Sequence, residues 1–281
     1  MVIFKSIISF FASIIMFICS VLDLPCYPMG EKLDMDKFTE TFCDDFDGEL
    51  DTSVWSGHYQ YGNTTVTRKG SYWNKNLVYT ENGNLIIPVT YLEDGMGGTG
   101  AGWYSAGIDT DSDSPNGFSQ KYGYFECRCI LPKGADIWSA FWLMNDGVYK
   151  VGNDGVDGTE IDIFESDCYG DLFENAVTSN LHFDGYGDYH QKLGAKQFLL
   201  KNNPYEEFNT YGLEWTEDEY IFYINGVETA RTSFGNGVSQ VEETLLMSLC
   251  VPGAEKQAKM DKETYKTEYI IDYVKVYQKA G

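Results

Sequence analysis

The chain predicts an all-β fold: a jelly-roll β-sandwich of two antiparallel sheets. Three observations predict it. Asn-Gly or Asp-Gly pairs stand at Asn82-Gly83, Asp94-Gly95, Asn116-Gly117, Asp146-Gly147, Asp154-Gly155, Asp157-Gly158, Asp184-Gly185, Asn225-Gly226 and Asn236-Gly237. Such pairs tolerate the positive φ that tight hairpins require. Between them lie short runs that alternate or are rich in β-branched and aromatic residues, at 84–91, 122–131, 138–144, 159–165, 176–183, 210–215, 220–224 and 269–277. Long helical periodicity is missing after residue 22. Short strands at regular spacing with turn signals between them are the pattern of a sandwich or jelly roll.

Taken in order, residues 1–22 read as a signal peptide. Lys5 gives a short positive start, and 7–22 is almost wholly apolar but short for a membrane span. No A-x-A cleavage pattern follows, so an uncleaved anchor is the alternative. Secretion is expected, with no stable membrane span after cleavage. Residues 23–37 form a short polar lead-in, and 38–281 form one domain, large enough to bury a sizeable core.

Aromatic residues make up 16% and charged residues 22%, which excludes global disorder. The net charge of −23 argues against nucleic acid and polyanionic partners. Of seven cysteines, Cys19 lies in the leader. Cys26, Cys43, Cys127, Cys129, Cys168 and Cys250 allow disulfides in an exported chain. Cys127 and Cys129 share a strand face and are not expected to pair with each other. Buried thiols are the alternative, and no C-x-x-C pair suggests zinc.

Residues 95–102 are glycine-rich but lack the Gly-Lys-Ser/Thr of a phosphate cradle. In 220–224, Tyr220, Phe222 and Ile224 alternate with Ile221 and Tyr223, so both faces are apolar. That suits a strand inside the sandwich. The polar stretch 255–266 has room for one helical turn.

The chemistry is concentrated in Glu160-Ile161-Asp162-Ile163-Phe164-Glu165. As a strand, it puts Glu160 and Asp162 on one face and Ile161 and Ile163 on the other. One extra residue, a β-bulge near Phe164, returns Glu165 to the acidic face. Acids this crowded raise one another's pKa, and a neutral acid beside a carboxylate is the equipment of a retaining glycosidase. A solvated strand face would carry the same residues, so the remaining segments decide.

Those segments resemble glycoside hydrolase family 16, the laminarinase and lichenase group, over residues 38–278. FCDDFDGELDTSVW (42–55), ENGNLI (81–86), YGYFECRCIL (122–131), WSAFWLM (138–144), TEIDIFES (159–166), YGLEWTEDEYIFYING (211–226) and IDYVKVY (271–277) stand in the family's order. The resemblance implies a jelly roll with a substrate cleft across its concave face. Glu160 would be the nucleophile, Glu165 the general acid/base, and Asp162 the group that tunes them. The E-x-D-x-x-E spacing matches the bulged branch, which includes laminarinases and galactan hydrolases.

Trp138 and Trp142 share a strand face and are expected to stack on sugar rings. The family pattern assigns Glu126 and Arg128 to sugar hydroxyls, with a structural ion pair as the alternative. It places His182 in the cleft and makes Trp103 and Trp73 weaker candidates. Asp272 and the backbone of Gly83 match a structural calcium site; no cofactor is implied for catalysis. Cys250 and Asp109 depart from residues found in some relatives, which bears on linkage specificity. The expected function is a secreted, monomeric endo-β-glucanase acting on β-1,3- or mixed β-1,3-1,4-glucan. Alternatives are a galactan or xyloglucan hydrolase, a transglycosylase and a non-catalytic glucan-binding module.

Overall fold

The structure, a computed structural model, describes residues 24–57, 65–68, 70–110, 114–233 and 238–280, with 11, 14, 15, 18, 19, 21 and 22 in the leader. Lys5 and the Asn236-Gly237 turn signal lie outside the described residues. No helix among the described residues is long and apolar enough to cross a membrane.

In chain order the described strands are β1 (Phe38–Asp44), β2 (Thr65–Arg68), β3 (Ser71–Asn74), β4 (Tyr79–Glu81), β5 (Asn84–Leu92), β6 (Gly102–Ser105), β7 (Gly107–Asp109), β8 (Ser119–Gln120), β9 (Gly123–Ile130), β10 (Trp138–Met144), β11 (Glu160–Ser166), β12 (Ala176–Phe183), β13 (Gln191–Leu199), β14 (Asn209–Trp215), β15 (Tyr220–Ile224), β16 (Val227–Thr232), β17 (Glu243–Cys250) and β18 (Thr267–Lys279). The expected helical turn is Ala254–Gln257.

The strands form two sheets. The larger runs β16-β15-β14-β9-β18-β5-β6-β3-β2, with β1 on β18 and β4 on β5; the smaller runs β13-β12-β11-β10-β17-β7, with β8 on β17. Pairing is antiparallel except between β3 and β6. The turn chemistry explains the tightest connections. Asn82 and Gly83 both have positive φ and join β4 to β5 with Glu81 opposite Asn84; Asn225 and Gly226 do the same between Ile224 and Val227.

The core lies between the sheets. The smaller sheet contributes Phe141, Leu143, Ile161, Ile163, Phe164, Leu245, Met247 and Leu249. The larger answers with Phe125, Cys127, Cys129, Tyr211, Leu213, Tyr269, Ile271, Val274 and Val276. These are alternate residues of their strands, as a half-buried pleat requires, except at the irregularities Ile163–Phe164 and Ile271–Tyr273. β15 is buried along its whole length. Its Ile221 and Tyr223 pack with Tyr124 on the outer face, under Leu33, Phe38 and Tyr277.

The lead-in is more than a linker. Cys26 N–H donates to Gln197 O and Leu199 N–H donates to Cys26 O, laying Cys26 beside β13. A few residues on, Gly30 N–H donates to Glu228 O, Glu228 N–H to Glu31 O, and Leu33 N–H to Gly226 O, laying this segment along β16. One short stretch thus runs from the rim of the smaller sheet to the rim of the larger.

The disulfide expectation is corrected: no disulfide joins any of the seven cysteines. Cys127 and Cys129 are enclosed in the core, with Cys127 Sγ 3.9 Å from Tyr269 O–H, whereas Cys43 is exposed on β1. Cys168 and Cys250 are buried on other elements.

Candidate active site

The site is built on β11, at the centre of the smaller sheet. Its ladder to β10 pairs Phe141 with Phe164 but Trp142 with Asp162, and its ladder to β12 pairs Asp162 with Asn180 and Glu165 with Thr178. One residue of β11 is therefore extra on both sides. The bulge falls at Ile163–Phe164, where both side chains turn into the core. Phe164 packs against Tyr211 with ring centroids 4.1 Å apart and the planes tilted by 32°. The consequence is the expected one: Glu160, Asp162 and Glu165 share the face away from the core, although Glu165 is an odd number of residues from the other two.

That face floors a cleft of about 460 Å³. Glu160 and Glu165 line it, part-buried. Trp138 and Trp142 line it from β10, and Asn180 and His182 from β12. Trp142 Nε1 donates to Ser248 Oγ at 3.2 Å, which fixes its ring against β17. Trp73 arrives from β3 of the larger sheet and crosses to the smaller one. Its Nε1 donates to Leu249 O at 2.9 Å, and its ring lies so close to Gly107 that a Cβ there would sit 2.7 Å from it. Gly107 is thus required by close approach.

The electrostatics follow from burial. Asp162 is 4% exposed. Burial, with Glu165 and Glu160 beside it, holds its carboxyl well above the usual carboxylate range, which favours its neutral form. His182 is pushed down to about 4, by burial first and then by His190 and Lys192. Its Nε2 lies 3.5 Å from Asp162 Oδ2. With His182 pushed down and Asp162 pushed up, the neutral form of each is favoured, which weakens this contact as an ion pair. Each flanking acid has its own donor: Asn180 Nδ2 to Glu165 Oε2 at 2.6 Å, and Tyr186 O–H to Glu160 Oε2.

Tyr186, His190 and Tyr149 complete the cleft, and sequence reasoning missed them. Tyr186 and His190 come from the loop after β12, and Tyr149 ends the short 3-10 helix Asp146–Tyr149. The Asp184-Gly185 turn signal marked the loop but not its contents. Asp184 and Gly185 have positive φ. Gly185 N–H donates to Val148 O at 2.7 Å and Gly152 N–H to Asp184 Oδ1 at 3.1 Å. These bonds bring the Tyr186 ring to 5.6 Å from Tyr149 and 5.5 Å from His190. His190 Nε2 in turn lies 2.9 Å from His182 Nδ1.

Three expected substrate residues are elsewhere. Glu126 and Arg128 lie on β9 in the larger sheet. Their neighbours Cys127 and Cys129 fill the core, so both charges face outward, away from the cleft. Glu126 accepts from Tyr124 O–H at 2.6 Å and Tyr273 O–H at 2.7 Å, while Arg128 pairs with Asp272 and covers the Phe208 ring. They form structural contacts. Trp103 is 3% exposed on β6, edge-on to Tyr91 and Tyr265, and belongs to the core. Asp109 is also buried, bonded to Ser56 Oγ.

The calcium expectation concerns the larger sheet. Asp47 Oδ1 lies 3.0 Å from where a Gly83 Cβ would be. Asn84 Oδ1 is buried without a hydrogen-bond partner. Asp272 follows Ile271, whose ladder partner is Leu85. The donors are all oxygens, which suits calcium. Arg128 competes for the Asp272 carboxylate.

Comparison with known proteins gives the same frame. The family model described as Beta-porphyranase A-D, GH16 domain, matches residues 37–279. The endo-1,3-1,4-beta-glycanase ExsH of Rhizobium meliloti (strain 1021) is 25% identical over 274 residues, 91% of this chain and 55% of its own length. The endo-1,3-1,4-beta-glycanase EglC of that organism is 26% identical over 264 residues, 87% and 53%. The chain thus spans about half the length of these curated relatives. The catalytic domain of an endo-1,3-beta-glucanase (laminarinase) from Thermotoga petrophila RKU-1 superposes with a TM-score of 0.66 at 25% identity, covering 87% of this chain and 99% of that one. SCLam, a non-specific endo-beta-1,3(4)-glucanase, shares the fold with a TM-score of 0.69 at 22% identity, covering 90% and 96%.

Proposed function

Because the chain belongs to glycoside hydrolase family 16, we propose that it is a secreted, monomeric, retaining endo-β-glucanase. It cuts β-1,3- or mixed β-1,3-1,4-glucan by double displacement. The observation that carries this reading is the bulged β11, which sets Glu160 and Glu165 on one cleft wall with the buried Asp162 between them.

The chemistry follows from that order. Glu160 attacks the anomeric carbon and forms a glycosyl ester, while Glu165 gives its proton to the leaving oxygen. Glu165 then takes a proton from water, which releases the sugar with its β configuration restored. Asp162 between them has its carboxyl pushed up, so a third charge on the wall is disfavoured. Tyr186 O–H favours the ionised form of Glu160 by donating to it. Trp138 and Trp142 offer flat apolar faces to the C–H faces of the sugar rings. One structural calcium near Gly83 and Asp272 completes the proposal and takes no part in the reaction.

The names of ExsH, EglC and the laminarinase domain support glucan as the substrate. A second reading, a porphyranase, is favoured by the description of the matching family model. The charge of −23 counts against it insofar as the substrate is a polyanion. Product analysis on laminarin, lichenan, xyloglucan, agarose and porphyran decides. Internal cleavage of laminarin or lichenan is expected; cleavage of porphyran alone would overturn the glucan assignment and leave the family and the acids in place.

A further inference from the structure

We propose that the cleft also binds one divalent transition-metal ion, zinc in the first instance, through Glu160, Asp162 and His182, and that the ion and the saccharide exclude each other. One Glu160 carboxylate oxygen, one Asp162 carboxylate oxygen and one His182 ring nitrogen all lie within 4.8 Å of one another. One of these pairs, Asp162 Oδ2 and His182 Nε2, lies at 3.5 Å. Zinc bonds of about 2.0–2.2 Å to nitrogen and oxygen, in a tetrahedron, put neighbouring ligand atoms about 3.3–3.6 Å apart. The pair therefore already stands at the edge length of a zinc site.

A second, independent observation points to a ligand. Asp162 Oδ2 is buried, on a residue 4% exposed, and has no hydrogen-bond partner. A buried polar atom without a partner is costly. Here it is turned towards the His182 nitrogen rather than into the core. The His182 ring is oriented from behind, since its Nδ1 is engaged by His190 Nε2 at 2.9 Å, leaving Nε2 for the ligand side. An outer partner on the second ring nitrogen is how zinc-binding histidines are usually held.

The donor set selects the ion. One imidazole with two carboxylates suits zinc or copper, whereas calcium and magnesium prefer oxygen alone. Binding needs ionised carboxylates and a neutral imidazole, and no redox partner. The dication also neutralises two crowded acids. The ion would sit on the atom that attacks sugar in the proposed reaction, so occupancy by one shuts out the other. The exclusion of saccharide rests on the hydrolase reading; the binding of zinc does not.

The test uses the full chain. Equilibrium dialysis with zinc chloride and a competing chelator should give one ion per chain, with affinity at least tenfold weaker in Asp162→Asn and in His182→Gln. Circular dichroism and melting curves of each variant check its fold. Cobalt(II) on the wild type should give the intense visible absorption of a four-coordinate site, removed by added zinc and insensitive to calcium. That arm holds even where a variant fails to fold. Loss of the cobalt spectrum on adding laminarin oligosaccharide would support the exclusion. Zinc binding that is non-stoichiometric and unchanged in a folded variant would mean diffuse attraction to an acidic surface and would overturn the proposal, as would a pale six-coordinate cobalt spectrum. Either negative result leaves the hydrolase assignment standing.

Discussion

Asn180 donates its side-chain amide to Glu165 across the β11–β12 ladder, at 2.6 Å, from a position whose ladder partner is Asp162. The bond is diagonal because the bulge has moved Glu165 one residue along. It ties up Oε2, so a proton on Glu165 is carried on the other oxygen.

The bond gives a test of the general acid. Asn180→Ala should lower kcat on glucan by about 10–100-fold, part of what a positioned acid contributes. The loss should be smaller on an aryl glycoside, whose leaving group needs little protonation. Equal losses on both substrates would separate Asn180 from proton transfer.

Stereochemistry tests the pair of acids. Proton NMR of the first-formed product should show the β-anomer before mutarotation. Glu160→Gln should abolish turnover with the fold intact. Glu165→Ala should retain attack on an activated aryl glycoside and, with azide, yield a β-glycosyl azide. An α-configured first product would reverse the reading to an inverting mechanism.

The bulge can be tested through stability. Phe164 is fully buried on Tyr211, so Phe164→Ala should cost about 3–5 kcal/mol. Denaturant unfolding measures it. A loss within ~0.5 kcal/mol, the scale of an ordinary surface change, would show that the bulge is not anchored by this ring.

Glu243 makes stability depend on pH. It is fully buried at the start of β17, where burial pushes its carboxyl up to about 8, against hydrogen bonds from Ser239 Oγ and Thr159 N–H. An unfolded Glu releases its proton near the ordinary value of 4.5. Between those values the folded chain holds more protons, so this contribution is full below 4.5 and declines as pH rises towards 8. Glu243→Gln keeps the acceptor and removes the titration. Its melting temperature should match the wild type's near pH 4 and exceed it at pH 8; a constant difference would count against the assignment.

Calcium is tested by chelation. Removing the ion should lower the melting temperature by a few degrees (~2–4 °C per kcal/mol at this size) without changing turnover at moderate temperature. No shift, with no metal by elemental analysis, would leave Arg128 as the cation that serves Asp272.

The acids were legible because their geometry is local. Strand alternation places Glu160 and Asp162 together, and the odd spacing to Glu165 demands a bulge. Trp138 and Trp142 were legible for the same reason. Glu126 and Arg128 show where parity stops. Alternation says that they share a face opposite Cys127 and Cys129, but not which sheet β9 joins, and that decides whether the face meets substrate or solvent. Trp103 failed likewise, since β6 joins the larger sheet. Tyr186 and His190 left no periodic signal, because their loop is positioned by bonds to Val148 and Gly152 from a distant stretch of chain.

The lead-in from Cys26 to Leu33 has a consequence for solubility. β13 and β16 would each end their sheet with an open row of N–H and C=O groups, a template on which another chain can add a strand. The same few residues occupy part of both rows. Protection against edge-to-edge self-association is thereby concentrated in one short segment, and a chain trimmed to begin at β1 would lose it on both sheets at once.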